Sequence, residues 1–424
     1  MKKKPFPPPG QDKPRIQPPA PTNKSVFSFF NILKPLIPDP GRPVARSILQ
    51  NSPLAHLIYE EELEAKNKAL DLLWKHFRLP GVPELVIGSP KPRKYRTTTK
   101  RRTTYKGSIL YLLSGDGTTQ KNPFIESPLE PWEHSRIYAF LQKKISDPVF
   151  KLVATHLNYI IIRGSYAEQA VIFNVDTMNG PLVRKLKILA SHLQKLSTTI
   201  TAAHIYPDPS GSDYYFEERQ PADLLHLKTL FGKGHLSVTH QDCRYSFHPT
   251  SFSQVNESMV PLMLDTVSQL LEPTDDEDLL DLYCGYGLFS HNLAPRYRNV
   301  LGLDAEGPSI NSAMVNKKLN PASRNSRFMA RRITEKTIEE IRLPKGKETI
   351  ILDPPRKGPA EGVIAALCQR APQKVLHILC GVDQIKDAIR QWQTGGYAVT
   401  RVVPLDMFPG SANLEVLILL TPSS

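Results

Sequence analysis

Four short apolar runs fill the last third of the chain: LLDLYCGYGLF (279–289), NVLGLDAEG (299–307), ETIILDPPRKG (348–358) and KVLHILCG (374–381). Each is followed by turn residues and then by a stretch of helical character. A strand that is apolar on both faces has no wet side, so strands of this kind alternating with helices require a parallel sheet covered on both sides. The pattern predicts a doubly wound, Rossmann-like α/β domain over residues 246–424. In such sheets ligands bind beyond the carboxyl ends of the strands. Asp281, Tyr283, Gly285, Gly287, Asp304, Asp353 and Cys380 all fall there. The small residues of DLYCGYG let a ligand approach the backbone, and Asp304 closes the next strand about twenty residues on, where a carboxylate can grip a ribose diol. A nucleoside-containing cofactor is expected at that point.

The chain has 424 residues, 40% of them hydrophobic, which exceeds one ordinary core. Twelve of the 39 prolines lie in the first 43 residues, so residues 1–50 are expected to be a disordered basic tail. Leu57, Ile58, Leu63, Leu70, Leu73 and Phe77 recur at near-helical spacing and predict a helical segment over 51–89. Residues 90–245 read as an α+β region. HLNYIIIRGS (156–165) and EQAVIFNVD (168–176) suggest a hairpin, GPLVRKLKILASHLQKL (180–196) a helix, and HLSVTHQDCRYSFHP (235–249) alternates like strands.

There is no apolar stretch of eighteen residues or more, so neither a membrane span nor a secretory signal is indicated and a cytoplasmic location is expected. The four cysteines are widely spaced and form no CxxC, which argues against a metal centre or a disulfide framework. Cys243, Cys284 and Cys368 read as packing residues. A monomer is expected.

Charge is unevenly placed. Residues 1–107 hold 21 basic and 8 acidic residues, and the remainder is balanced, so the whole net charge of +13 sits in the first quarter. Its densest part is KPRKYRTTTKRRTTYK (91–106), with Lys91, Arg93, Lys94, Arg96, Lys100, Arg101, Arg102 and Lys106 but no acid, and with Tyr95 and Tyr105 interleaved. Phosphate-seeking charge beside aromatic faces suits RNA. A solvated basic loop is the simpler alternative.

Four blocks resemble the S-adenosylmethionine-dependent RNA uracil-C5 methyltransferases: SFSQVN (251–256), DLYCGYGLFS (281–290), LDPPRKG (352–358) and MFPGSANLE (407–415). The resemblance covers roughly residues 90–424 and implies a class I methyltransferase fold with RNA as substrate, tRNA slightly favoured over rRNA. It implies Cys380 as the nucleophile that adds to C6 of uracil and Glu415 as the base that later removes the C5 proton. It further implies that Gln254, Asp281, Tyr283, Gly285, Gly287, Asp304 and Asp353 hold S-adenosyl-L-methionine or the target base. The chain departs from the family pattern in LCGV (379–382) around the nucleophile and in Asn413 beside the base, where the family has a histidine. Taken alone, Cys380 at the end of an apolar strand reads more readily as a buried hydrophobe than as a nucleophile, and Glu415 also reads as a strand-edge charge. A methyltransferase for another acceptor and an RNA-binding relative without activity remain as alternatives.

Overall fold

A computed structural model describes residues 27–39, 52–113, 127–209, 227–342 and 347–423. Strands β1 (Thr99–Lys106), β2 (Ile109–Leu113), β3 (Leu157–Gly164), β4 (Gln169–Val175), β5 (Ile200–Pro207) and β6 (Lys228–Phe231) form one sheet in the order β2-β1-β3-β4-β5-β6. Only β4 and β5 run parallel. The helix Gly180–Gln194 connects them, as a parallel pair requires a crossover. Asn179 caps that helix by accepting the Leu182 amide hydrogen. Its Leu186, Leu189 and Leu193 bury against Ile160, Ile162 and Phe173 on one face of the sheet.

The hairpin of β7 (Leu236–His240) and β8 (Cys243–Phe247) stands apart from that sheet. Leu236, Tyr245 and Phe247 share a core with Met263 and Tyr286, and the Phe247 ring stacks on Tyr286 at 5.4 Å. The Tyr245 hydroxyl donates to the Leu288 carbonyl at 2.9 Å. The expected division at 245/246 therefore passes through an element that packs on the C-terminal core.

Strands β9 (Glu277–Leu282), β10 (Asn299–Asp304), β11 (Ser326–Ala330), β12 (Lys347–Leu352), β13 (Lys374–Leu379), β14 (Tyr397–Leu405) and β15 (Glu415–Pro422) form a seven-stranded sheet in the order β11-β10-β9-β12-β13-β15-β14. The first five are parallel, and β15 inserts antiparallel between β13 and β14. Successive residues serve opposite cores. Leu279 and Ile351 face Val260, Met263 and Leu264 of the helix Val260–Leu271. Leu280 and Ile350 face Leu367, Ile389 and Trp392 of the helices Val363–Arg370 and Ile385–Thr394. This double coverage is the physical reason that the runs read as continuously apolar. The chain leaves β9 toward β10 and leaves β12 toward β13, so the strand order reverses between β9 and β12 and opens a crevice there.

Two N-terminal segments complete the second core. The helix Tyr59–Phe77 buries Leu70, Leu73 and Trp74 against it. Part of the expected tail does so too, which corrects that expectation. Phe29–Leu33 is a helical turn capped by Ser28, with Phe29 and Leu33 buried, and the Phe29 amide donates to Asp383 Oδ1 at 2.7 Å. Phe27 stacks on His76 at 3.5 Å. Three aromatic residues at 27–30 give this stretch the apolar surface that the prolines around it lack. The rest of 1–50 lies outside the described residues.

Candidate active site at the carboxyl ends of the parallel strands

The turn after β9 sets the geometry. Tyr283, Gly285 and Gly287 all have positive φ, of 63°, 57° and 85°, a conformation that costs a tyrosine energy and is tolerated where function over-determines it. The two glycines differ. A Cβ on Gly285 would meet nothing within 4 Å, whereas one on Gly287 would lie 2.7 Å from His291. Gly285 leaves an open approach to the backbone, while Gly287 is required by packing. Asp304, at the end of β10, accepts from the Gly285 amide at 2.8 Å and the Ala305 amide at 2.6 Å. It thereby ties the two strand ends together.

Asp281 is fully buried. Ser290 donates to its Oδ2 at 2.5 Å, and its Oδ1 has no partner among the described residues. Burial pushes its carboxyl up to about 7, against the Ser290 hydrogen bonds that lower it, with the Asp304 charge adding to the rise.

The placing of Cys380 beside Glu415 follows from register. In the antiparallel ladder Leu379 pairs with Val416. One step further along the same register places Cys380 opposite Glu415, where cross-strand Cβ atoms lie about 4.5–5.5 Å apart. Asp353 ends the neighbouring strand β12, its amide donating to the Leu282 carbonyl at 3.3 Å. Glu415 is buried, and burial raises its carboxyl to about 7 while Arg356 opposes the rise. Asp353 is half-exposed yet desolvated by its surroundings. Its carboxyl is pushed well above the ordinary range, first by that desolvation and then by Glu415, Asp281 and Asp304. Burial, Glu415 and Asp353 raise the Cys380 thiol to about 11, and Arg356 again opposes them. Two carboxylates, Glu415 and Asp353, thus meet the thiol beside the exposed cation Arg356, and Asp281 and Asp304 act in turn on Asp353. Strongly shifted groups gathered in a crevice mark sites of chemistry. Arg356 was legible within DPPR, but its electrostatic hold on both Cys380 and Glu415 was not.

Gln254 is half-buried, and its carboxamide makes no hydrogen bond among the described residues. It sits in the segment that carries the basic run to this sheet, for the Thr97 amide donates to the Val255 carbonyl at 2.9 Å. Asn256, which the sequence reading passed over, is fully buried and donates to Ser89 Oγ and to the Met407 carbonyl.

The eight basic residues of 91–106 divide. Lys94, Lys100, Arg102 and Lys106 are exposed, and the last three alternate along β1. Arg101, on the opposite face of that strand, is buried and pairs with both oxygens of Glu130 at 2.9 and 2.6 Å. Arg93 donates to the carbonyls of Ala55, Leu54 and Leu57 and pairs with Glu62 at 2.9 Å. The expectation that these two bind RNA is corrected, because internal acceptors occupy their guanidinium groups. Lys91 lies over the Tyr166 ring at 3.9 Å, and Arg96 is half-buried at 6.0 Å from the Tyr95 ring. The run is a core strand and its approach rather than a loop. The missing signal was the period of two from Thr99 to Lys106, which charge density concealed.

Among the described residues no helix is long and apolar enough to cross a membrane, and no group of three His, Cys, Asp or Glu side chains could hold a metal ion.

Comparison with known proteins bears on this cluster. An RNA methyltransferase of Thermosynechococcus vestitus is 32% identical over 197 residues, 46% of this chain and 43% of that protein. One from Streptococcus pyogenes serotype M18 is 26% identical over 392 residues, covering 87% of this chain and 79% of its own length. The chain thus spans less than half of the first relative and about four-fifths of the second. The crystal structure of Pyrococcus abyssi tRNA (uracil-54, C5)-methyltransferase in complex with S-adenosyl-L-homocysteine superposes with a TM-score of 0.65 at 21% identity, over 87% of this chain and 85% of that one, which establishes a shared fold. Residues 218–423, the stretch that holds the seven-stranded sheet together with Cys380 and Glu415, match the model of the tRNA (uracil-5-)-methyltransferase family.

Proposed function

We propose that the protein transfers a methyl group from S-adenosyl-L-methionine to C5 of a uridine in RNA, with Cys380 as nucleophile and Glu415 as base. The observation that carries this reading is the register that sets Cys380 against Glu415 at the end of the sheet, beside Asp353. Methylation of an amine or a hydroxyl needs neither a thiolate nor a carbon base, and uracil C5 needs both. The residues at the crevice fit the cofactor: the unpartnered Oδ1 of Asp281 suits its ammonium group, the open backbone at Gly285 admits close approach, and Asp304 suits a ribose diol. When bound, that cofactor supplies an electrophilic methyl on a sulfonium.

Cys380 adds its sulfur to C6, and the electron pair of the C5=C6 bond moves to give an enolate. The thiol proton leaves to water, which the half-exposed position of Cys380 admits. The raised thiol makes deprotonation part of the addition step rather than a resting state. C5 takes the methyl group and still bears its proton. Glu415, ionised, removes that proton, C5=C6 reforms, and the sulfur departs as thiolate. Asp353, beside the pair, hydrogen-bonds the base or the cofactor, and Gln254 positions one of them. The exposed Lys94, Lys100, Arg102 and Lys106 supply phosphate contacts, while tRNA is favoured over rRNA as the substrate.

The test is to incubate the protein with S-adenosyl-L-methionine and, separately, bulk tRNA and rRNA from cells lacking 5-methyluridine, and to digest each to nucleosides for mass spectrometry. The expected product is 5-methyluridine in the tRNA. A different methylated nucleoside, or none in either pool, refutes the reading.

A further inference from the structure

Lys66 is buried without exposed surface in the helix Tyr59–Phe77, far in sequence from the reactive groups. Its ammonium pairs with Glu62 at 2.7 Å and with Asp406 Oδ1 at 2.8 Å. Tyr59 donates to the other oxygen of Asp406 at 3.0 Å, and Arg93 pairs with the other oxygen of Glu62 at 2.9 Å. Two acids and two cations balance inside the protein. Such a cluster is poor evidence for stability in itself, because desolvating four charges offsets most of their attraction. Its position is the informative feature.

Asp406 begins the loop DMFPGSANL, and Glu415 follows that loop as the first residue of β15. Across the β14–β15 ladder Glu415 stands opposite Leu405, the neighbour of Asp406. The loop is gripped from Asp406 to Gly410. Glu62 accepts the Gly410 amide at 2.5 Å, the Leu54 amide donates to the Gly410 carbonyl at 3.1 Å, Tyr95 donates to the Pro409 carbonyl at 3.1 Å, and Asn256 holds the Met407 carbonyl at 3.3 Å. Gly410 adopts φ of +79°, and a Cβ there would lie 2.6 Å from Leu129. The segment before the basic run therefore holds the turn that delivers Glu415 at its start, Asp406, and at its middle, Gly410. Of these contacts only the Lys66 cluster anchors a charged side chain of the loop.

We propose that Lys66, through Asp406 and Glu62, is a positioning residue that fixes Glu415 for removal of the C5 proton. The inference rests on Glu415 being the base. Because the ammonium of Lys66 acts on the loop that leads to Glu415, through Glu62 and Asp406, and neither of these partners lies in the Cys380 strand, its loss slows the step after methyl transfer and leaves thiolate addition intact.

The experiment compares intact protein with Lys66→Met on bulk RNA, tRNA plus rRNA, lacking 5-methyluridine, and on the same RNA made with 5-fluorouridine. Fluorine at C5 cannot be removed as a proton, so that RNA reports addition and methyl transfer alone. Lys66→Met is expected to lower kcat on ordinary RNA about ten-fold with KM falling in parallel, so that kcat/KM is kept while protein–RNA adduct accumulates, and to trap the fluorinated RNA within about two-fold of the intact protein's rate. Equal loss on both RNAs, or loss on neither, overturns the proposal. If intact protein fails to trap fluorinated RNA, the nucleophile assignment falls, and the inference with it. Should Lys66→Met fail to fold, Tyr59→Phe keeps the ring and removes one grip on Asp406. An about three-fold fall in kcat confined to ordinary RNA is then the expected result, and an unchanged kcat overturns the proposal.

Discussion

Two buried charged clusters flank the loop that joins β14 to β15, and they are built on opposite rules. At the Asp406 end, Glu62 and Asp406 face Lys66 and Arg93, charge for charge, and nearly every oxygen and ammonium is in a short contact. At the Glu415 end, Asp353 and Glu415 crowd a thiol with Arg356 as the cation beside them, while Asp281, whose charge bears on Asp353, has an Oδ1 with no partner among the described residues. A balanced buried cluster holds geometry. An unbalanced one holds protons that a substrate can move, because desolvation and like charge raise each carboxyl toward neutral pH. Burial alone therefore does not separate scaffold from chemistry, whereas charge balance does.

Breaking the unbalanced cluster has the largest effect. Glu415→Gln lowers turnover about 10²–10⁴-fold, the scale of a lost general base, in single-turnover and steady-state assays. In the intact protein the base must be ionised, and burial has raised it to about 7. Turnover therefore rises with pH through that region to a plateau, and a flat profile from pH 6 to 8 contradicts the assignment.

Breaking a balanced pair costs stability instead. Glu130→Ala strands the buried Arg101 and is expected to destabilise by about 3–5 kcal/mol in chemical denaturation, while leaving the salt dependence of RNA binding unchanged. Replacing exposed Lys100 and Arg102 with glutamine does the reverse. It flattens the slope of log affinity against log salt by about 0.7–0.9 per lost contact and leaves the denaturation midpoint in place.

The smallest effect sharpens the contrast most. Asp281 has a raised carboxyl in the folded state, so its contribution to stability is fully present below its unfolded value near 4 and is lost as pH rises to about 7. Asp281→Asn removes that penalty. It should stabilise the protein by up to about 4 kcal/mol at pH 8 and by little at pH 4, read from thermal unfolding, while weakening S-adenosyl-L-methionine binding. Equal effects at both pH values contradict it.

Strands β9, β10, β12 and β13 were legible because they are buried on both faces and run into turns that carry Gly, Asp or Cys, whereas the edge strand β11, mostly exposed and ending at Ala330, carries no such signal. The Cys380–Glu415 pair was legible only as two motifs, since the register that sets them opposite depends on β15 inserting beside β13, a pairing that no local pattern encodes. Arg101 and Arg93 were misread because a buried arginine looks like an exposed one until its carboxylate is found, here 29 residues away for Arg101. Lys66 gave no signal at all. It lies in an amphipathic helix among other lysines, and its partner Asp406 is 340 residues distant.

The central claim is that Cys380 and Glu415 act at successive steps on one uracil, and gel analysis of denatured reactions tests it most directly. Glu415→Gln, incubated with S-adenosyl-L-methionine and bulk RNA lacking 5-methyluridine, should give a slowly migrating protein–RNA band that nuclease removes, and Cys380→Ala should give none. If Glu415→Gln gives no band while the intact protein forms 5-methyluridine, or if Cys380→Ala forms one, the two residues do not divide the reaction in this way.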